Sequence, residues 1–441
     1  MGTTDTRAVS KRPGIAPPGD AVGAEIHGLM TELFPVLRSL TGEGVRETLH
    51  RCAEWAPFEL FEVPSGAAAL DWTIPDEWTV REAWVAGPDG TRIVDVAESS
   101  LALVSYSTPV RARMSLADLR PHLHSLPDRP TLTPYVTSYW DPAWGFCLPH
   151  ERLEALPEGE YEVVIDTTLA PGHLTYAEAV LPGEIADEIL ITSWCCHPSL
   201  ANDNLSGVAV LTALARHIAS QPRHHTFRFL LSPGSIGPIA WLAANRERLD
   251  RVRHGLVVSC VGDPALPTYK RTRQEDAPVD RAAAMVLGAI DGARMLPWEP
   301  WGGDERQFNS PGFNLPIGSF SRSPAGQFPE GHTSDDNLTF VTPAALGDSL
   351  TRIVQILDIL ETNRVWINTS PFGEPQLGRR GLYRALGGAG TTGPMAMLWV
   401  LNLADGDHSL IDMAERSGIS YAELRATADL LAEHGLLTPR S

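Results

Sequence analysis

Between residues 185 and 365 the chain alternates short apolar runs with helix-like segments, and this rhythm restricts the fold more than any other feature. EILITSW, TFRFLLS and HGLVVSCV have the length and texture of buried strands, while NLSGVAVLTALARHIA and IGPIAWLAANRERL between them read as helices. Strands joined through helices of 12–16 residues form crossovers rather than hairpins, so they pair in parallel as βαβ units. The expected fold is α/β, a mainly parallel mixed sheet with helices on both faces. In such sheets functional groups gather beyond the carboxyl ends of the strands.

The flanking regions have other textures. Ile26, Leu29, Met30, Leu33, Phe34 and Leu37 recur at helical spacing, and TGEGVRETLHRCAEW after Leu40 reads as a turn and a second helix. From about residue 60 to 175 the chain is Pro-rich and β-rich, with Trp72, Trp78 and Trp84 in short runs and a hairpin turn at Gly87-Pro88-Asp89-Gly90. From about 380 three helical patterns follow, the last opening on Ser420 and Glu423 as a capping box. The division is a disordered tail at 1–20, an α/β domain at 21–60 and 176–375, an inserted β-rich domain at 61–175, and a winged-helix-like domain at 376–441.

Charge and composition exclude several classes of function. The net charge of −19 disfavours nucleic-acid binding, and residues 405–441 hold three arginines against seven acidic residues, so the winged-helix-like module is expected to pack or dimerise. A homo-oligomer would form through this module or the inserted domain. No apolar run approaches the roughly 20 residues that cross a bilayer, and the N-terminus lacks an apolar signal core, so no membrane partner and a cytoplasmic address are expected. Five scattered cysteines without CxxC spacing fit a reducing compartment.

The chemistry-bearing residues sit at the expected strand ends. His197 and Asp203 follow EILITSW in CCHPSLANDNLSG, where Asn204 and Ser206 are placed to cap the next helix. Nitrogen and oxygen ligands at a strand end suit zinc or a similar divalent ion; a polar turn with a capping aspartate is the alternative. Asp263 follows HGLVVSC, Asp304 and Glu305 lie in GGDERQFNSPGFNLP, and His332 lies in FPEGHTSDDN. Several polar loops at one edge of one sheet make a constellation.

The order of His197, Asp203, Asp263 and His332 resembles the M28 family of zinc aminopeptidases, and GGDERQF…GFNLP is similar to that family's Asp-His-x-x-Phe…Gly-Ile-Pro segment, with Glu305 in place of the histidine. Nearly the whole chain resembles the M28-like subgroup with the domains of unknown function DUF2172 and DUF4910, through FEVPSGAAALDWTIPDEWTVREAWV, WGFCLPH, CHPSLANDNLSG, SPGFNLP, EGHTSDDNL and GEPQLGRRGLYRALGG. The resemblance implies a zinc-exopeptidase-like fold with a β-rich insert and a C-terminal winged helix. It also implies that Asp203 bridges two metal positions, that His197 and Asp263 complete one, and that His332 belongs to the other. Ser199 stands where the family places an aspartate that orients the histidine.

The largest departure is SPGSIGPIA, residues 232–240. The resemblance implies a Glu-Glu pair here, one general base and one ligand, and in the closer subgroup Pro-Glu-Thr-Ile-Gly with one glutamate; Gly234 stands where that glutamate is expected. Losing a general base costs roughly 10²–10⁴ in rate. One zinc is therefore preferred over two, with Asp304 and Glu305 the candidate replacement catalytic groups. Tyr269, Arg306 and Arg322 are candidates for substrate binding, solvated loops and internal ion pairs being the alternatives. Cys195 and Cys196 finish a buried strand and are read as packing.

Three functions follow. The first is a zinc-dependent, aminopeptidase-like amide hydrolase acting on a small peptide or amino-acyl conjugate. The second is a non-hydrolytic or biosynthetic enzyme, cyclase- or transferase-like, on the same single-zinc scaffold, as the related glutaminyl cyclases illustrate. The third is a noncatalytic metal-binding scaffold.

Overall fold

Every residue of the strand Glu188–Trp194 is buried, which is what an unbroken apolar run requires of a strand covered on both faces. In the computed structural model, which describes residues 12–382 and 393–440, this strand lies inside an eight-stranded sheet. Its strands are β1 (Glu59–Pro64), β2 (His173–Leu181), β3 (Glu188–Trp194), β4 (Thr226–Ser232), β5 (Val252–Val258), β6 (Thr268–Lys270), β7 (Arg294–Leu296) and β8 (Ile317–Ser321). The spatial order is β1-β2-β4-β3-β5-β8-β6-β7. β4, β3, β5 and β8 form a parallel centre; β2 and β6 run antiparallel to it, and β1 runs antiparallel to β2.

The strand period of two divides the core. Ile189 and Ile191 enter one apolar cluster with the helices α1 (Val22–Leu33), α3 (Gly207–Ala219), α5 (Pro278–Leu287) and α6 (Pro343–Thr362), in chain order with α2 (Glu43–Ala53) after α1. Leu190 and Trp194 enter a second cluster with α4 (Ile236–Ala244) and residues of the insert, among them Trp78, Tyr106 and Tyr161. The sheet therefore has helices on both faces, and the insert completes the second.

The insert is built on the strand Glu160–Ala170, which pairs antiparallel with Glu77–Ala86 and with Val110–Ser115. Arg92–Asp95 returns from Glu77–Ala86 through the expected turn, closed by the Gly90 N–H on the Gly87 carbonyl at 2.9 Å. Since β1 runs to Pro64 and β2 starts at His173, the insert lies between those residues.

The C-terminal module begins ahead of residue 376. Val365–Asn368 pairs with Asp405–Ser409 and Leu437–Pro439, and the helices α7 (Pro394–Leu403), α8 (Leu410–Ser417) and α9 (Tyr421–Glu433) complete it. Ser420 caps α9, but the Glu423 carboxylate accepts from the Gly393 N–H; the complete capping box is Ser409 with Asp412 on α8. The expected tail is ordered from residue 12 onward: Ile15 is buried and its N–H donates to Asp358 on α6 at 2.8 Å. Residues 1–11 lie outside the described residues, as does part of GEPQLGRRGLYRALGG. Among the described residues no helix is long and apolar enough to cross a membrane.

Candidate metal centre

Beyond Trp194 the chain leaves the sheet and winds residues 201–206 into one wide buried turn before α3. The Asp336 carboxylate fixes this turn, accepting from the N–H of Asn202 at 2.5 Å and of Asp203 at 2.9 Å. Asn204 and Ser206 do not cap α3 as expected. Asn204 spans from Ser193 to the Cys260 N–H, and Ser206 bonds Asn202 and the Val261 N–H, because the buried ends of β3 and β5 need these partners.

Three side chains converge here. Asp203 Oδ1 accepts from the Trp194 indole N–H at 3.0 Å and lies 3.8 Å from His197 Nδ1, while Oδ2 lies 3.1 Å from His332 Nε2. One donor atom from each of His197, Asp203 and His332 can be chosen so that all lie within 4.8 Å of one another. His197 Nδ1 is buried without a hydrogen-bond partner. Burial pulls this imidazole down to about 4 against the attraction of Asp203, so it is neutral at pH 7 with a lone pair to offer. Burial works to raise Asp203, but His197, His332 and Trp194 outweigh it and hold the carboxylate below its ordinary range. His332 is raised, chiefly by its bond to Asp203. An orphaned imidazole nitrogen, an ionised carboxylate and a second imidazole fit a zinc ion. The His332 side chain is 55% exposed, so the cluster opens to solvent on that side.

Other contacts position the triad. Arg38 Nε donates to the His197 carbonyl at 2.8 Å. Tyr135 of the insert places its ring 5.3 Å from both imidazoles, and its N–H donates to the His332 carbonyl at 2.8 Å. That bond holds His332 at a φ of 56°, a conformation few non-glycine residues adopt. Ser199 bonds Ser100 and the Phe34 carbonyl and leaves His197 Nδ1 unsupported.

Asp263, expected as a ligand, is not in this cluster. Its carboxylate accepts from Asn202 Nδ2, the N–H and hydroxyl of Ser323, and the Ala265 N–H, all between 2.9 and 3.2 Å. Its acceptor capacity is spent on tying the β5 loop to the Asp203 turn.

The departure at Gly234 has a structural counterpart. A Cβ on Gly234 would lie 2.8 Å from Asp304 Oδ1 and 3.0 Å from Trp194 Cβ. The Asp304 carboxyl therefore occupies the room a side chain at 234 would need. Burial and the neighbouring Glu305 push Asp304 up to about 8, against the pull of Arg306, and its Oδ2 has no partner. Glu305 turns away to Lys270, with Nζ 2.8 Å from Oε1, in a cavity of about 280 Å³ also walled by Trp194 and Trp301.

Of the residues expected to bind substrate, Arg306 remains beside Asp304, with Nη2 3.2 Å from the Ser235 hydroxyl. Tyr269 is fully buried and donates to Asp280 at 2.9 Å, and Arg322 pairs with Asp348 at 2.8 Å; both serve the interior. Burial raises the Cys196 thiol to about 12 and Cys195 well above its ordinary range, consistent with packing. Asp336, Tyr135 and Arg38 escaped sequence reasoning because no motif or period links them to the His197–Asp203 stretch. The second aspartate of HTSDDN was the only available signal.

The mixed sheet and its helix layers give the chain an M28-peptidase-like α/β architecture, to which the β-rich and winged-helix parts are added. A zinc aminopeptidase of Bacillus subtilis superposes with a TM-score of 0.56 at 12% identity, covering 76% of this chain and 94% of that one. A peptidase M28 precursor of Shewanella amazonensis gives 0.54 at 16% identity, covering 78% and 93%. The chain belongs to the DUF4910 family, described as a domain of unknown function, whose profile matches residues 27–363. Residues 364–439 match a winged helix-turn-helix family. A Clostridium acetobutylicum protein provisionally described as a polysaccharide biosynthesis protein with an aminopeptidase-like domain is 43% identical over 419 residues, 94% of this chain and 96% of that protein. A crystal structure of a provisionally named peptidase from that organism matches with a TM-score of 0.90 at 42% identity, covering 95% of this chain and 96% of that one.

Proposed function

We propose that the chain is a zinc-dependent, aminopeptidase-like amide hydrolase acting on a small peptide or amino-acyl conjugate. The carrying observation is the convergence of His197, Asp203 and His332 with an unpartnered imidazole nitrogen. These three residues would hold one zinc ion, which when bound supplies Lewis-acid polarisation of a carbonyl group. Asp304 is the proton acceptor in this reading: its carboxylate takes a proton from the water that adds to the amide carbon and passes it to the departing amine. Water and amide thus become carboxylic acid and amine. Burial and Glu305 hold the Asp304 proton up to about pH 8 against the pull of Arg306, so the acting carboxylate is the ionised fraction, which grows as pH rises toward that value. The five free thiols suit a cytoplasmic address. The likeness of the insert to DUF2172 rests on the segments quoted above.

The relative's assignment to polysaccharide biosynthesis favours a second reading, a specialised biosynthetic step at the same centre. Elemental analysis with aminoacyl-anilide hydrolysis tests the first. About one zinc per chain and turnover that a chelator removes are expected; a zinc-replete protein inert on every amide offered would leave the second reading in its place.

A further inference from the structure

The cavity beside the triad carries more hydrogen-bonding capacity than the protein uses. β8 presents Ser319 and Ser321 two residues apart on one face; β5 ends at Val258, with Ser259 next to it, and β6 places Lys270 opposite Ser319. The hydroxyls of Ser259, Ser319 and Ser321 and the carboxamide of Gln327 make no hydrogen bond to any described residue, although all four residues line the cavity. Ser259 and Ser321 are 3% and 4% exposed. Glu305, 2% exposed, has its Oε2 unpartnered. Lys270 spends two of its three N–H donors on Glu305 Oε1 and the Trp301 carbonyl and rests 4.8 Å from the Trp298 ring centre. Glu305 Oε2 is buried without a partner, and the serine hydroxyls and the exposed Gln327 carboxamide reach solvent around it, so a ligand that replaces that water completes the set.

The chemistry of that ligand follows from the walls. Glu305 and Lys270 neutralise each other within the cavity, and the one other charged residue that lines it, Glu299, is exposed to solvent, so the interior itself offers no free counter-charge. Trp194 on one side and Trp301, 76% exposed, at the mouth offer apolar faces. At ~30 Å³ per water, about 280 Å³ holds roughly nine waters, the scale of a single small ring. Trp194 joins the two sites: its indole N–H donates to Asp203, while the far edge of its six-membered ring packs at Gly303 beside Glu305.

We propose that this cavity is a subsite for one neutral polyhydroxylated ring, a hexose unit, carried by the substrate whose amide is presented to the triad. Its link to the triad rests on the function proposed above; the subsite itself does not. The ring's hydroxyls pair with Ser259, Ser319, Ser321, Gln327, Glu305 Oε2 and the third Lys270 donor, and its C–H faces meet the tryptophans.

The test is binding of glucose and N-acetylglucosamine to the full-length protein, zinc-free and zinc-loaded, by saturation-transfer NMR and titration calorimetry. At least one sugar is expected to bind saturably in both forms. Trp301→Ala, at a surface position, and the Ser319→Ala/Ser321→Ala double variant should each weaken it roughly ten-fold with an unchanged circular-dichroism spectrum. The proposal is overturned if neither sugar binds, or if lysinamide or leucinamide binds instead and loses affinity in these variants. Sugar binding without amide hydrolysis would remove the proposed reaction and keep the subsite. Amide hydrolysis without sugar binding would do the reverse.

Discussion

Asp203, bonded to the Trp194 indole, and Asp304, beside Gly234, are both 2% exposed, yet they are held in opposite states. Asp203 faces two imidazoles and the indole N–H and stays ionised below its ordinary range. Asp304 faces Glu305, keeps one oxygen unpaired, and is pushed up to about 8. Burial penalises charge at both sites; the sign of the nearest charge decides the outcome. The same end of the sheet thus holds a carboxylate suited to a cation and a carboxyl group suited to proton exchange near neutral pH.

The contrast is broken most severely at the metal side. Asp203→Asn should weaken zinc binding at least about 100-fold, beyond the loss typical of an outer-shell change, and abolish hydrolysis; competitive chelator titration reads the affinity. Retained zinc at full occupancy would show that the triad is not the site. Asp304→Asn should lower kcat by about 10²–10⁴ while zinc stoichiometry stays unchanged. Equal loss of zinc in that variant would erase the division of labour between the aspartates.

A smaller effect is expected where the fold supports the triad. Asp336→Ala removes the acceptor for the Asn202 and Asp203 N–H groups and should cost about 10–100-fold in zinc affinity, with the ligands themselves intact. The smallest effect concerns stability. The folded chain keeps the Asp304 proton up to about pH 8, whereas the unfolded chain releases it near pH 4. Stability therefore falls as pH rises through that window. The zinc-free Asp304→Asn variant should gain in thermal midpoint over the parent between these limits, by a few degrees, and level off above; a constant difference would place Asp304 in an ordinary carboxylate environment.

The fold was legible because its signals are local. Apolar runs set the buried strands, helix-length spacers set parallel pairing, and pairing set the sheet edge where His197, Asp203 and His332 were sought. The absence of an acid at Gly234 was equally readable. The occupant of that space was not, because Asp304 reaches it from another loop, seventy positions along the chain. For the same reason Asp263 stands at a strand end, where the resemblance implies a ligand, while its carboxylate accepts from Asn202 and Ser323, and Tyr269 had the residue type of a binding group but lies in the core.

Sequence alone determined the architecture, the strand ends that bear the chemistry and the missing base, since periodicity and strand order depend on neighbours in the chain. Only the tertiary structure decided which carboxylates face a cation, which face each other and which face backbone N–H groups. Those choices are made by side chains far apart in sequence, and they set each group's charge and what it can do.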